Sequence, residues 1–240
     1  IPSLVKDSPR YWNRLFRNEG GMKFSDRTEA AELRGEGYAS SVAVADYDND
    51  GRPDLFVGGV HRQHLYRNTG GRFEDVTAKA GLTSEQWVVG GGWFDYDNDG
   101  WLDLLVVNYT MWTADYDRFC GDQARGVRVY CHPKWFPPIP LSLHRNRGAG
   151  TFEDVSAKSG IAAHKGRGMG LAFADFDRDG FLDFYVTNDK LPSFLFRNRG
   201  DGGFEEGALL AGPALPEAGQ DVSAMGVDDP EIFCGGERQV

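Results

Sequence analysis

At 240 residues the chain has room for one all-β domain or a section of a repeat array, and its length forces no second domain. Its formal net charge of −10 argues against a nucleic-acid partner, whose phosphates demand the opposite sign. No apolar run approaches the roughly 20 residues a helix needs to cross a bilayer, so no transmembrane segment is expected. Gly is abundant at 32 residues and aromatics reach 13%, as expected where many tight turns join short packed strands.

The chain opens Ile1-Pro2-Ser3 without an initiator Met. The simplest expectation is a mature secreted protein that has lost its signal peptide, or an excised segment. The first recognisable element is Leu15-Phe16-Arg17-Asn18, which runs into a Gly-rich turn and then a Phe-led strand, Phe24-Ser25-Asp26. This pairing returns three times. Leu65-Tyr66-Arg67-Asn68 leads to Phe73-Glu74-Asp75-Val76-Thr77, and Leu143-His144-Arg145-Asn146 leads to Phe152-Glu153-Asp154-Val155-Ser156. Leu195-Phe196-Arg197-Asn198 leads to Phe204-Glu205-Glu206. Arg and Asn of this element are read as serving the repeat unit itself rather than binding a ligand, with Asn setting the turn.

A second element alternates with the first. Asp46–Asp54 reads D-Y-D-N-D-G-R-P-D, Asp95–Asp103 reads D-Y-D-N-D-G-W-L-D, and Asp175–Asp183 reads D-F-D-R-D-G-F-L-D. Carboxylates at positions 1, 3, 5 and 9, with Gly at 6, describe an oxygen cage for a hard cation, and Ca²⁺ is the ion that takes six to eight oxygens flexibly. The expected ligands are Asp46, Asp48, Asp50 and Asp54; Asp95, Asp97, Asp99 and Asp103; and Asp175, Asp177, Asp179 and Asp183. Arg52, Trp101 and Phe181 stand at position 7, whose backbone carbonyl is the customary ligand. About three Ca²⁺ ions would bring the formal charge to about −4. An EF-hand is not expected: position 12 is Val57, Val106 or Val186 where a bidentate Glu is required. The flanks are short apolar runs bounded by Gly, such as Ser41-Val42-Ala43-Val44-Ala45, which read as strands. The loops therefore belong at the tips of β-hairpins.

One unit then comprises a Gly-rich strand, the acidic loop, a second strand, the Leu-x-Arg-Asn strand and the Phe-led strand. Four antiparallel strands in roughly 50 residues match a β-propeller blade, and blades must stack to bury their faces. The apolar residues before each loop (Val42 and Val44, Trp93, Leu171 and Phe173) are expected to form the core between blades. The divisions are a half blade at 12–35, blades at 36–82, 83–160 and 161–210, and a partial blade at 219–240. The fold class expected is all-β, a propeller or part of one spanning 1–240.

The middle blade carries an insertion at 109–140, dense in aromatics and Pro, with Cys120 and Cys131. An excursion of that size on a rigid scaffold is where specific function tends to sit. The two Cys suit a disulfide; a metal site of Cys120, Cys131 and His132 lacks a fourth ligand at a recognised spacing. Trp112, Tyr116, Trp135 and Phe136 are candidates for stacking on a sugar or filling a partner's pocket, or else for packing over the scaffold. Asn108-Tyr109-Thr110 is a formal N-glycosylation sequon. Near the C-terminus, Ser223-Ala224-Met225-Gly226-Val227 resembles the start of another blade, but Asp228-Asp229-Pro230 replaces the acidic loop, and Cys234 is left over.

These features resemble the FG-GAP/VCBS repeat family, whose blades also build the integrin α-subunit head. The closest likeness is to members with a C-terminal ASPIC/UnbV domain, the group related to cartilage acidic protein. Leu65 to Thr77, the following Ala80-Gly81-Leu82, and the acidic loops carry the resemblance. It implies a Ca²⁺-stabilised propeller, secreted or cell-surface (periplasmic in a bacterium), that binds a protein or carbohydrate ligand. An alternative is a structural subunit that self-associates through open blade edges. No enzyme is expected. The five His are scattered, no Gly-x-Ser-x-Gly elbow occurs, and acids repeated in every blade suit structural metals better than one active site.

Overall fold

The computed structural model describes residues 8–35, 37–212, 214, 223 and 224. The expected partial blade at 219–240 and Cys234 therefore lie almost wholly outside the described residues. The chain divides into two compact units: the residues up to Val106 with Leu143–Val155, and Val107–Ser142 with the residues from Ser156 onward. The blade expected at 83–160 is thus shared, its insertion belonging to the second unit.

In the first unit, β1 (Phe16–Gly20) and β2 (Lys23–Asp26) form a two-stranded antiparallel sheet. Then β3 (Ala39–Ala45), β4 (Asp54–Gly59), β5 (Arg62–Asn68) and β6 (Phe73–Asp75) form a four-stranded meander, followed by the helical turn α1 (Thr77–Ala80). A second four-stranded sheet takes β7 (Val88–Phe94) and β8 (Asp103–Asn108). After the insertion, with its one short pair of strands β9 (Gly121–Asp122) and β10 (Val127–Arg128) and the strand β11 (Ile139–Pro140), β12 (Ser142–Asn146) and β13 (Phe152–Asp154) complete that sheet. In the second unit β14 (Lys165–Gly166) pairs with β11. There β15 (Gly168–Ala174), β16 (Asp183–Asn188), β17 (Phe194–Asn198) and β18 (Phe204–Glu206) form the third four-stranded sheet, and α2 (Ala208–Ala211) follows.

The turns follow from the sequence. Asn68 Oδ1 accepts the N–H groups of Gly70 and Gly71, while Asn146 and Asn198 accept those of Gly148 and Gly200, all at 2.9–3.0 Å. Each Asn also donates through Nδ2 to the carbonyl at position 8 of its acidic loop: Pro53, Leu102 or Leu182. The side chain thereby ties turn to loop, which is why one residue type recurs at that position.

The core of the first unit lies between its two four-stranded sheets and contains Tyr47, Phe56, Leu65, Leu82, Val88, Leu104, Val106 and Phe152. A Cβ at Gly91 would fall 2.8 Å from the Phe56 ring, so this position in β7 stays Gly because the sheets approach too closely for a side chain. In the second unit Phe184 stacks on Phe196 with centroids 4.7 Å apart, and Phe204 meets Phe184 edge-on at 5.0 Å.

One expectation about the core fails. Val42 and Val44 are 62% and 58% exposed, whereas Ala43 between them packs against the core. Successive strand residues face opposite sides, and only the Ala43 side meets a second four-stranded sheet. Trp93, in the corresponding strand, does pack as expected.

Candidate functional site

Each acidic loop closes the hairpin between the first two strands of its sheet: β3–β4, β7–β8 and β15–β16. Strands on both sides exclude the EF-hand arrangement. Inside the loops one hydrogen-bond scheme repeats three times. The position-1 carboxylate accepts two backbone N–H groups: Asp46 from Asp50 and Gly51, Asp95 from Asp99 and Gly100, Asp175 from Asp179 and Gly180, all within 3.1 Å. The position-5 carboxylate accepts from position 7: Asp50 from Arg52, Asp99 from Trp101, Asp179 from Phe181. The fold requires left-handed backbone at position 6, where Gly51, Gly100 and Gly180 have φ of 84°, 87° and 92°. Position 4 is left-handed as well: Asn49, Asn98 and Arg178 have φ of 54°, 57° and 61°.

The position-9 carboxylates are buried anchors. Asp54 accepts the N–H of Tyr47 at 3.3 Å and that of Asn68 at 2.7 Å. Asp103 accepts those of Tyr96 and Asn146 at 3.1 and 2.7 Å, and Asp183 those of Phe176 and Asn198 at 2.9 and 2.8 Å. Each therefore stitches the start of its loop to the third strand of its sheet. Burial opposes their charge: desolvation, aided by the neighbouring loop carboxylates, pushes Asp54 up to about 6 and Asp103 up to about 7, and raises Asp183.

One oxygen from each of Asp46, Asp48 and Asp50 lies within 4.8 Å of the others, and the same holds for Asp95, Asp97 and Asp99. In the third loop the converging set is Asp175, Asp177 and Asp183, with Asp179 outside it. Asp54 and Asp103 stand outside the first two sets. Asp48 Oδ1 and Asp97 Oδ1 are buried and accept no hydrogen bond from the protein. A buried carboxylate oxygen without a partner is costly, and a hard cation is the partner that an all-oxygen donor set suits. The residues fit a Ca²⁺-like ion on this ground.

Sequence reasoning missed the counter-charge. Arg67 donates to Asp48 at 2.6 Å and to Asp50 at 3.1 Å; Arg145 pairs with Asp97 at 2.7 Å and Asp99 at 3.0 Å; Arg197 pairs with Asp177. The Asp48 hydrogen bond and charge raise the Arg67 pKa. Three arginines at one repeat position, each in a unit with four carboxylates, were the available signal. In the first unit the two loops are also joined to each other. Asn49 Nδ2 donates to the Gly100 carbonyl at 3.2 Å, and Asn146 Nδ2 to that of Tyr47 at 2.8 Å.

The insertion is stapled by a disulfide between Cys120 and Cys131, whose Cα atoms are 5.3 Å apart, so those sulfurs are not metal ligands. Its base is fixed in the second unit: Thr110 Oγ1 donates to the Pro137 carbonyl at 2.8 Å and Arg167 to that of Phe136 at 3.0 Å. Of the aromatic candidates, Tyr116 and Phe136 meet edge-on at 6.5 Å, with Phe136 half-buried. Trp112 is half-buried too. Trp135 is exposed, with the Arg118 guanidinium 4.1 Å and the Lys134 ammonium 5.2 Å from its ring centre. The four do not form one open platform. Val127, Val129 and Tyr130 of the insertion are exposed apolar side chains too, and the sequence reading did not count them as candidates. Asn108 is buried and donates to the Pro140 carbonyl and Ser142 Oγ, so the sequon cannot present its amide for glycosylation.

Comparison with known proteins places these features. A family model for FG-GAP-like repeats matches residues 5–57, 46–106 and 140–186. Cartilage acidic protein 1 of Homo sapiens is 34% identical over 73 residues, 30% of this chain and 11% of that protein. The same protein of Xenopus tropicalis is 40% identical over 57 residues, 24% of this chain and 9% of that one. The match thus spans about a tenth of those relatives. Among solved structures, an Agrocybe aegerita lectin described as recognising non-reducing terminal N-acetylglucosamine aligns with a TM-score of 0.34 at 19% identity. That alignment covers 80% of this chain and 45% of the lectin chain, and a likeness this distant bears on neither fold nor ligand. All three acidic loops fall inside the segments matched by the family model, each at the tip of the same kind of hairpin, and the chain belongs to the FG-GAP-like repeat family.

Proposed function

We propose that this chain is part of a Ca²⁺-stabilised β-propeller that acts as an extracellular binding or adhesion module and not as an enzyme. The observation carrying the metal reading is the threefold repetition of one loop geometry, with an unpartnered buried carboxylate oxygen in two of its copies. Asp46, Asp48 and Asp50 would hold one ion, Asp95, Asp97 and Asp99 a second, and Asp175, Asp177 and Asp183 a third. The carbonyls of Arg52, Trp101 and Phe181 would complete the sets. The ion's part is to neutralise the loop and lock the hairpin. The disulfide and the cartilage acidic protein likeness support an oxidising, extracellular setting.

Recognition falls to the insertion. The stapled insertion exposes the apolar side chains Val127, Val129 and Tyr130 and carries the Arg118–Trp135 pair, a composition suited to a protein or carbohydrate ligand. The test is binding of the chain, in millimolar Ca²⁺, to arrays of glycans and matrix proteins. Binding that Tyr130→Ala and Trp135→Ala weaken at least tenfold supports the reading. Binding that neither changes moves recognition off the insertion. A second reading, a subunit that assembles through open sheet edges, is favoured by β3, an edge strand of its sheet whose Val42 and Val44 side chains are bare, and native mass separates it from a monomeric binder.

A further inference from the structure

The three acidic loops share one hydrogen-bond scheme but not one set of charges. Position 7 meets the turn between the third and fourth strands of its sheet in every copy. Trp101 and Phe181 meet it with apolar rings: a Cβ added at Gly148 or Gly200 would fall 3.0 or 2.8 Å from them. In the first loop the residue is Arg52, whose Nε donates to the Asn68 carbonyl at the corresponding turn, 2.8 Å away.

That anchor brings a second guanidinium onto the expected ligands. Arg52 Nη2 pairs with Asp50 Oδ2, the same oxygen that Arg67 Nη2 reaches at 3.1 Å. Asp50 Oδ1 accepts the Arg52 backbone N–H at 3.0 Å, and Arg67 Nε holds Asp48 Oδ2 at 2.6 Å. Both oxygens of Asp50 are therefore engaged, one of them by two cations.

The second loop is gripped less. Among the described residues Arg145 is the one guanidinium paired with it, and the single nitrogen Nη2 serves both Asp97 at 2.7 Å and Asp99 at 3.0 Å. Arg145 Nε is buried without a partner, and Trp101 adds no charge. The first loop thus meets a cation with one more positive charge than the second. Ca²⁺ affinity follows the charge of the ligand set. The Arg52 side chain is 42% exposed, so a water-like dielectric applies. At ~6 Å in that medium a unit positive charge weakens binding of a divalent ion by roughly tenfold.

We propose that, on the reading that these loops hold Ca²⁺, the two sites of the first unit are unequal and Arg52 sets the difference. The Asp95–Asp103 loop takes its ion first. The Asp46–Asp54 loop fills only at roughly tenfold higher free Ca²⁺, so its hairpin responds to an ion level at which its neighbour is already occupied. Asn49 Nδ2 donates to the Gly100 carbonyl at 3.2 Å, so the first loop fills against a second loop that is already fixed.

The test follows the position-6 amides by ¹⁵N NMR as Ca²⁺ is added to the chelator-stripped full chain, with bound metal counted in parallel. The Gly51 and Gly100 N–H groups each donate to the position-1 carboxylate of their own loop, so each reports one site. Gly100 should reach half its shift at a free Ca²⁺ roughly tenfold below Gly51. Arg52→Leu should bring Gly51 to within about threefold of Gly100, with Gly100 itself unmoved. Arg52→Lys keeps the charge and should keep the gap. Coincident midpoints in the parent chain overturn the proposal, as does a gap that Arg52→Leu leaves intact or that Arg52→Lys closes; each of these leaves the metal reading standing. Absence of any shift and of bound metal overturns the metal reading and the proposal with it.

Discussion

Replacing Asp103 by Asn tests the role of the position-9 carboxylate. The side chain is fully buried and accepts the Tyr96 and Asn146 N–H groups, and its pKa is raised from 3.8 to about 7 by desolvation. A group whose folded pKa lies above its unfolded value contributes stability that is complete below the unfolded pKa. That contribution is lost as pH rises through the folded value. In chelator, therefore, wild-type stability should fall between about pH 4 and pH 7 on account of Asp103. At ~1.4 kcal/mol per pH unit the ceiling is ~4 kcal/mol. Asn carries no charge but sets its NH₂ against one of the two backbone donors, which costs ~1–3 kcal/mol at every pH.

Urea titrations in chelator at pH 4, 6 and 8 should thus find wild type ahead at pH 4 by ~1–3 kcal/mol. Its lead should shrink by ~2–4 kcal/mol by pH 8, enough to close or reverse the gap. Taking the difference between the two chains cancels His144, whose burial lowers its pKa and gives the opposite slope. Saturating Ca²⁺ at pH 8 should restore the wild-type lead, since the cation compensates a charge that Asn lacks. A difference that is flat with pH, or that grows in favour of wild type in chelator, refutes the reasoning.

Arg178 occupies a left-handed position that Asn fills in the other two loops, so Arg178→Asn should stabilise by up to ~1 kcal/mol, read as an increased urea midpoint at unchanged m. Arg67→Gln leaves Asp48 without its counter-charge and Asp50 with Arg52 alone, so the variant should lose more stability in chelator than in Ca²⁺; equal losses would assign Arg67 to packing alone. Reducing the Cys120–Cys131 bridge should speed tryptic cleavage after Arg118 and Arg125 while barely moving the main thermal transition, because the bridge closes a loop within the insertion.

The parts legible from sequence are those fixed by local chemistry. Gly at loop position 6 and Asn before a Gly turn answer to backbone conformation within a few residues, so their spacing announced the hairpins and the Asn-x-Gly turns. Strand order followed because the connections in the first and third four-stranded sheets are short, and the repeated Leu-x-Arg-Asn element carried it across the insertion in the second. What escaped depends on contacts distant in sequence. Arg145 lies 46 residues from Asp99, and nothing local distinguishes an arginine that reaches a loop from one that faces solvent. Val42 and Val44 alternate correctly for a strand, yet pattern alone cannot say which of the two faces has a neighbour. In the insertion, aromatic content marked a candidate surface, but the stacking of Arg118 on Trp135 and the exposure of Tyr130 arise from how the stapled loop folds back.

The central claim is that three repeated acidic loops are cation sites that stabilise the hairpins. Its most direct test is a thermal melt of the full chain in millimolar Ca²⁺ and in excess chelator, with bound metal counted in the same samples. An ion that binds only the folded state must raise the midpoint. The account predicts about three bound ions and a large rise in midpoint, each of Asp48→Ala, Asp97→Ala and Asp177→Ala removing one ion and part of the rise. Equal midpoints in Ca²⁺ and chelator, with no bound metal, would contradict it.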